Sequence, residues 1–155
     1  MTQGARFIIN SKFVYNMRIK KCIGAVLYND QNRIFLMTSP KWKGYVIPGG
    51  EIKDGETEEV ALRREMREEL GIEISDLVRV GEKKKLASSD FRDPTLNFYF
   101  IDYFARALQT EITPNDEISE YGWYFLDEAL KLPLLDSTRE LVNKFRDYRK
   151  NLAPE

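Results

Sequence analysis

Two runs decide the fold of this chain: Gly50-Glu51-Ile52-Lys53-Asp54-Gly55-Glu56, and Arg64-Glu65-Met66-Arg67-Glu68-Glu69-Leu70-Gly71-Ile72, with Thr57 to Arg63 between them. The second run lies in a predicted helix from Thr57 to Leu70. Thr57 is a suitable N-cap, Glu58 and Glu59 fall in the electropositive first turn, and Gly71 is placed to cap the C-terminus. Leu62, Met66 and Leu70 recur one turn apart and give the helix one apolar stripe. On the same helix Glu65, Glu68 and Glu69 stand at i, i+3 and i+4, so all three share one face beside that stripe. Like charges so close repel and weaken the helix unless something positive sits among them. Arg64 and Arg67 offset part of this; a divalent cation offsets much more. Ligation by carboxylate oxygen alone, with neither nitrogen nor thiolate, points to Mg²⁺, Mn²⁺ or Ca²⁺ and away from zinc. Mg²⁺ commonly combines one or two carboxylates with substrate phosphates, so a phosphate-bearing substrate follows. Taken alone, an Arg- and Glu-rich run is most often a solvated helix face, so the rest of the chain has to decide.

Upstream, Lys20 to Tyr28 reads as a strand with Ile23, Ala25 and Leu27 on one side and Val26 and Tyr28 on the other. Asn29 to Asn32 is a turn, and Arg33 to Thr38 a second strand, making a hairpin. Tyr45 to Ile47 reads as a short apolar strand that stops at Pro48-Gly49-Gly50. Downstream, strand patterns run near Leu77 to Leu86, Leu96 to Ala107 and Tyr121 to Phe125. Asp127 is placed to cap a short helix ended near Pro133. A last helix is predicted from Ser137, where Ser-x-x-Glu with Glu140 suggests a capping box, and Leu141, Phe145, Tyr148 and Leu152 form its core stripe. Residues 1–17 read as an extra edge strand or an arm. Strands, a helix, strands, then helices suit an α/β fold with a mixed sheet and helices packed on its faces.

The first two runs together resemble the signature of the Nudix hydrolases, G-x5-E-x7-R-E-U-x-E-E-x-G-U, where U is a bulky apolar residue. Gly50, Glu56, Arg64, Glu65, Glu68, Glu69 and Gly71 fill the fixed positions, and Met66 and Ile72 fill the U positions. At roughly 0.07 per fixed position, seven matches arise by chance about once in 10⁸ windows. Pro48-Gly49 before the signature and the Trp123 strand after it also look like the family. The resemblance implies a Nudix fold, a mixed β-sheet sandwiched between α-helices (α/β/α), and a MutT-like enzyme that hydrolyses a phosphoanhydride with Mg²⁺, or alternatively Mn²⁺. It implies that Glu65, Glu68 and Glu69 bind metal, with the Gly50 carbonyl as a further ligand, and that Glu56 and Arg64 orient the catalytic helix. It implies one more acidic residue from a loop before the Trp123 strand; Glu117 is favoured there, with Glu120 in reserve. Glu68, Glu69 and Glu117 are the candidate catalytic bases, and the sequence does not rank them.

The chain has 155 residues, fitting one domain over 1–155. Hydrophobic residues make up 43% and charged residues 32%, the balance of a globular protein. With 24 Lys and Arg against 25 Asp and Glu, the net charge of −1 gives no global footprint for duplex nucleic acid or an anionic membrane; a local basic run remains at Lys83 to Lys85. One cysteine, Cys22, forbids an internal disulfide and suits a cytoplasmic setting; it reads as a small core residue. No signal peptide or membrane span is expected. The absence of histidine excludes His-based triads, His-ligated zinc and imidazole acid–base chemistry.

Among family members, ADP-ribose hydrolases tend to carry a proline near the position of Ala87, and dinucleoside polyphosphate hydrolases a tyrosine near Ser89. Neither stands here, and no coenzyme A signature is seen. By elimination the leading expectation is a nucleoside triphosphate cut to monophosphate and pyrophosphate. The alternatives are an enzyme acting on ADP-ribose, a nucleotide sugar or another diphosphate, and a non-catalytic nucleotide-sensing domain. Lys41, Lys43 and Arg92 are candidate phosphate contacts. Tyr15, Tyr28, Trp42, Tyr45, Phe91, Phe98 and Tyr99 are the supply for base stacking, each weighed against an ordinary core role. A homodimer built partly from the N-terminal arm is the expected assembly.

Overall fold

Strand β1 (Ile19–Tyr28) sorts its side chains as the pleat demands. Ile23, Ala25 and Leu27 enter one buried cluster, and Val26 and Tyr28 pack into the other. Asn29 closes the following turn by accepting the N–H groups of Gln31 (3.0 Å) and Arg33 (3.1 Å) on its Oδ1, and Asn32 takes a left-handed conformation, φ 61°. Strand β2 (Ile34–Thr38) then returns antiparallel to β1. The order continues with β3 (Gly49–Glu51), α1 (Glu58–Leu70), β4 (Ile74–Lys85), β5 (Asn97–Ala107), β6 (Glu120–Tyr124), α2 (Leu126–Ala129) and α3 (Asp136–Leu152). This computed structural model describes residues 19–85, 92–93 and 95–152; the predicted N-terminal arm lies outside them.

The sheet runs β4-β5-β1-β2-β6, with β3 added to β1. β1 and β5 are parallel while the other pairings are antiparallel, so the sheet is mixed. Helix α1 covers one face through Ala61, Leu62, Met66 and Leu70; α3 covers the other through Leu141, Val142 and Phe145. Each fully buried Leu or Phe contributes about 1.5–3 kcal/mol, enough to fix both helices on the sheet. The α/β/α sandwich expected from the sequence is the one observed.

Several local expectations are corrected. The strand predicted at Tyr45 to Ile47 is only a pair of isolated bridges, Met37 to Val46 and Tyr45 to Leu134, and the true strand begins at Gly49. The short apolar run was read as a strand because it is buried, but its backbone pairs in two directions. Ser137 is not the N-cap of the last helix, which already includes Asp136; Glu140 pairs instead with Lys144, one turn on, at 3.6 Å. Asp127 lies inside α2, and Glu128 does the capping by accepting the Phe125 N–H (3.1 Å). Leu152 is exposed, while Val142, outside the predicted stripe, is fully buried.

One feature of the sheet makes the site. β1 meets β2 at the hairpin, Tyr28 opposite Ile34, but its Cys22–Gly24 stretch is paired with β3. The two strands therefore fork, and the segment from 39 to 48 crosses the gap. The mouth of a cavity opens in that fork.

Candidate active site

Helix α1 is held at both ends as its sequence predicts. Thr57 Oγ1 accepts the Val60 N–H (3.2 Å), and Gly71, at φ 69°, sends its N–H to the Arg67 carbonyl (3.0 Å). A side chain at that left-handed position would be strained. Burial of the Leu62, Met66 and Leu70 stripe fixes the helix in rotation, so the neighbouring face turns toward β3.

On that face Glu69 is only 4% exposed. Its Oε1 accepts the Gly49 N–H at 3.2 Å. Burial pushes its carboxyl up to about 8, against the pull of that hydrogen bond, and the negative charges of Glu65 and Glu117 add to the rise. Glu65 is raised as well, chiefly by burial, with Arg64 opposing. Its carboxylate lies directly against Gly50, where an added methyl group would overlap it. Only glycine lets the backbone approach so closely.

Arg64 organises the acidic groups. Nε and Nη2 grip the two oxygens of Glu56 (2.7 and 2.8 Å), Nη1 donates to Glu65 (2.8 Å) and Glu68 (3.1 Å), and Nη2 also donates to the Glu51 carbonyl (3.0 Å). Glu56 further accepts the Lys53 N–H (2.8 Å). The Arg64 hydrogen bonds, then that of Lys53, hold the Glu56 carboxyl down at about 2. Glu56 and Arg64 thus tie the loop before the helix to the helix itself. Glu68 is more than half exposed, faces Arg64, and does not line the cavity.

Glu117 arrives from a loop latched to the end of α1: Thr113 N–H donates to Leu70 O (2.9 Å), Asn115 N–H to Glu69 O (3.0 Å), and Glu117 N–H to Asn115 Oδ1 (3.0 Å). Lys41 pairs with Glu117 at 3.3 Å. Glu65, Glu69, Glu117 and Lys41 all line one cavity. Glu120 is directed elsewhere and accepts the Tyr45 hydroxyl (3.0 Å). Lys43 and Arg92 are exposed and line no part of the cavity; the Arg92 N–H instead donates to Lys41 O at 3.0 Å.

The cavity measures about 330 Å³. Trp42, Phe98 and Phe100 form an aromatic wall, with Phe98 and Phe100 stacked at 5.2 Å and Trp42 packed on both. Tyr28 packs on Phe145 and Tyr45 on Tyr124, as core residues; Tyr15 and Phe91 lie outside the described residues. Cys22, expected in the core, lines the cavity, and burial pushes its thiol up to about 12, so it is not a thiolate at neutral pH. Sequence reasoning missed Phe100, Asp102 and Thr138 as cavity residues. A signal for Asp102 did exist: it is the one acidic residue in the apolar and aromatic run of β5, and a buried polar residue is the informative kind.

Among the described residues no three acidic, Cys or His side chains converge as a ready-made metal cage. The donor set nonetheless fits a hard divalent cation. Two desolvated carboxylates repel each other, a glycine backbone presses on one, and the Cys22 thiol in the same cavity is held protonated, which leaves oxygen donors; this is a partial set of the kind completed by substrate phosphates. No helix among the described residues is long and apolar enough to cross a membrane.

Comparison with known proteins places the chain in a family. The chain is 28% identical over 136 residues to the NAD-capped RNA hydrolase NudC of Pseudomonas aeruginosa, covering 83% of this chain and 45% of that protein. It therefore spans less than half the length of that relative. It is 27% identical to an RNA pyrophosphohydrolase of Rickettsia africae, covering 79% and 85% of the two chains. Its structure superposes on the MutT NUDIX hydrolase of Burkholderia pseudomallei with a TM-score of 0.68 and 25% identity, over 81% of this chain and 97% of that one. The NUDIX domain model matches residues 19–145, most of the chain. This protein belongs to the Nudix family.

Proposed function

We propose that the protein is a metal-dependent pyrophosphohydrolase that cleaves a phosphoanhydride in a nucleoside diphosphate derivative, foremost a nucleoside triphosphate to monophosphate and pyrophosphate. One observation carries the reading: Glu65, Glu69 and Glu117 line one cavity with Lys41, and Trp42, Phe98 and Phe100 form an aromatic wall in it. Family membership supports the same chemistry, since Nudix hydrolases generally need a divalent metal; here Mg²⁺ is favoured, with Mn²⁺ as the substitute.

When bound, the cation supplies charge neutralisation at the diphosphate oxygens and a more acidic water. Glu65, Glu69, Glu68 and the Gly50 carbonyl would hold it. Glu68, now paired with Arg64 and more than half exposed, would have to turn from Arg64 to join them. Arg64 keeps its two-point grip on Glu56 and so keeps the loop registered against the helix. Lys41 offers an ammonium to the phosphate chain. The attacking water forms a new P–O bond as the bridging P–O bond opposite it breaks, and the leaving phosphate carries away the electron pair. The water proton passes to a carboxylate. Glu69 and Glu117 are the better-placed acceptors because both face the cavity, and Glu69 is the less solvated of the two.

The test is a panel of nucleoside triphosphates, ADP-ribose, nucleotide sugars and a 5′-triphosphorylated RNA oligonucleotide, with and without Mg²⁺, followed by mass analysis of products in ¹⁸O-water. Metal-dependent release of pyrophosphate from a triphosphate is expected, with the label in one product. Absence of metal-dependent turnover on every substrate would overturn the reading and leave a nucleotide-binding domain.

A further inference from the structure

The cavity has a second polar end that the hydrolytic chemistry leaves unused. Asp102 lines it from β5, and its side chain is only 13% exposed. No hydrogen bond to its carboxylate is found among the described residues; it faces the Lys83 ammonium at 3.8 Å, beyond hydrogen-bonding distance, and the charges of Lys144 and Glu140 on α3 also act on it. Burial raises the carboxyl above the ordinary range while Lys83 opposes the rise. A mostly buried carboxylate with no donor on it is costly, and that cost asks for an occupant.

The surroundings leave room for one. The cross-strand neighbours of Asp102 are both glycines: the space at Gly81 on β4 is open, while Ile47 and the Pro48 carbonyl pack over Gly24 on β1. Phe100, two residues back on the same strand face, belongs to the aromatic wall with Trp42, and Lys83 stands opposite it on β4. The strand ladder also gives the separation from the lip. Asp102 pairs with Gly24, Gly24 pairs with Gly49, and the Gly49 N–H donates to Glu69. Two strand spacings amount to about 10 Å, on the order of the reach of a nucleotide from its ring edge to its diphosphate.

We propose that Asp102 and Lys83 are specificity-determining residues that read the edge of a guanine-type base, a claim that rests on the nucleotide-hydrolase reading above. An ionised carboxylate only accepts hydrogen bonds and an ammonium only donates them. The complementary ring edge therefore offers two adjacent N–H donors beside a carbonyl. Guanine does so, with its exocyclic amine and N1–H toward Asp102 and O6 toward Lys83. Adenine and cytosine set a ring nitrogen acceptor against the carboxylate. Uracil and thymine offer a single N–H between two carbonyls. Hypoxanthine, which lacks the exocyclic amine, loses one of guanine's two donors and is the sharpest probe.

The experiment measures kcat/KM for GTP, ITP, ATP, CTP and UTP with the parent protein, D102N and K83M, alongside calorimetric binding of GDP, IDP and ADP and thermal melts. The parent is expected to favour GTP over ITP and ATP by about 10- to 100-fold, the discrimination a two-point base contact supplies, with most of it in KM. D102N is expected to bring its GTP, ITP and ATP rates within about 3-fold of one another, because its amide no longer accepts twice. Equal parent rates across the five bases, or an equal loss on every base in D102N, would overturn the proposal. If no triphosphate turns over, the hydrolase reading fails by itself, and binding of GDP against IDP and ADP still decides the base reading. Should D102N not fold, the parent's GTP to ITP ratio and the K83M variant decide it.

Discussion

The two ends of the cavity are built in opposite ways. The lip draws Gly50, Glu65 and Glu69 from one continuous stretch, and helical spacing alone places the two glutamates one turn apart. The far end draws Lys83 from β4, Asp102 from β5 and Thr138 from α3, which nothing but the strand register and the α3 packing brings together. The lip concentrates like charge; the far end pairs one charge of each sign at a distance that leaves both able to bond outward. A contiguous motif can specify the reaction common to a family, while a pocket assembled from distant elements is where a single member can differ.

The sharpest way to break this contrast is to neutralise the lip without moving it. Glu69→Gln keeps an acceptor for the Gly49 N–H and removes a charge that burial disfavours, so the melting temperature should hold. Turnover should nonetheless fall by about 10²- to 10⁴-fold if Glu69 holds the metal or takes the proton. Full activity in both Glu69→Gln and Glu68→Gln would show that the lip is not the reactive end. Gly50→Ala tests geometry in place of charge. Its methyl group must displace the Glu65 carboxylate, and a shift near 1 Å should cost about 10²-fold in kcat/KM, read by steady-state kinetics beside a melt.

Smaller effects sharpen the picture. Lys41→Met should raise KM by about 10-fold at low salt and less at high salt, because this half-exposed ammonium is screened; kinetics at two ionic strengths check it. The Glu56–Arg64 tie should show in stability against pH. The Glu56 carboxyl is held at about 2, well below its ordinary value. Its contribution is therefore complete above about pH 5 and disappears as pH falls toward that lowered value. The melting-temperature gap between the parent and Glu56→Gln should stay constant from pH 5 to 8 and close below pH 4.

Much of the architecture was legible because local physics governed it. Helix α1, with its Thr57 cap and Gly71 stop, the two faces of β1 and the Asn29 turn all follow from periodicity and side-chain hydrogen bonding within a few residues. Expectations failed where a distant contact overrode the local signal: Tyr45 and Val46 pair in two directions instead of forming a strand, and α3 begins before Ser137. The candidate phosphate cations divided on the same principle. Lys41, Lys43 and Arg92 look alike in sequence, and only the fork between β1 and β2 turns Lys41 alone among them into the cavity.

By itself the sequence determined the α/β class, the family and the acidic face of one helix, because each depends on spacing along a single segment. The tertiary structure alone decided that Glu117 and not Glu120 joins that face, that Glu68 is held outward by Arg64, and that Cys22, Phe100 and Asp102 line a cavity. Those outcomes depend on which strands lie side by side and where a loop is latched, and no spacing within one segment encodes them.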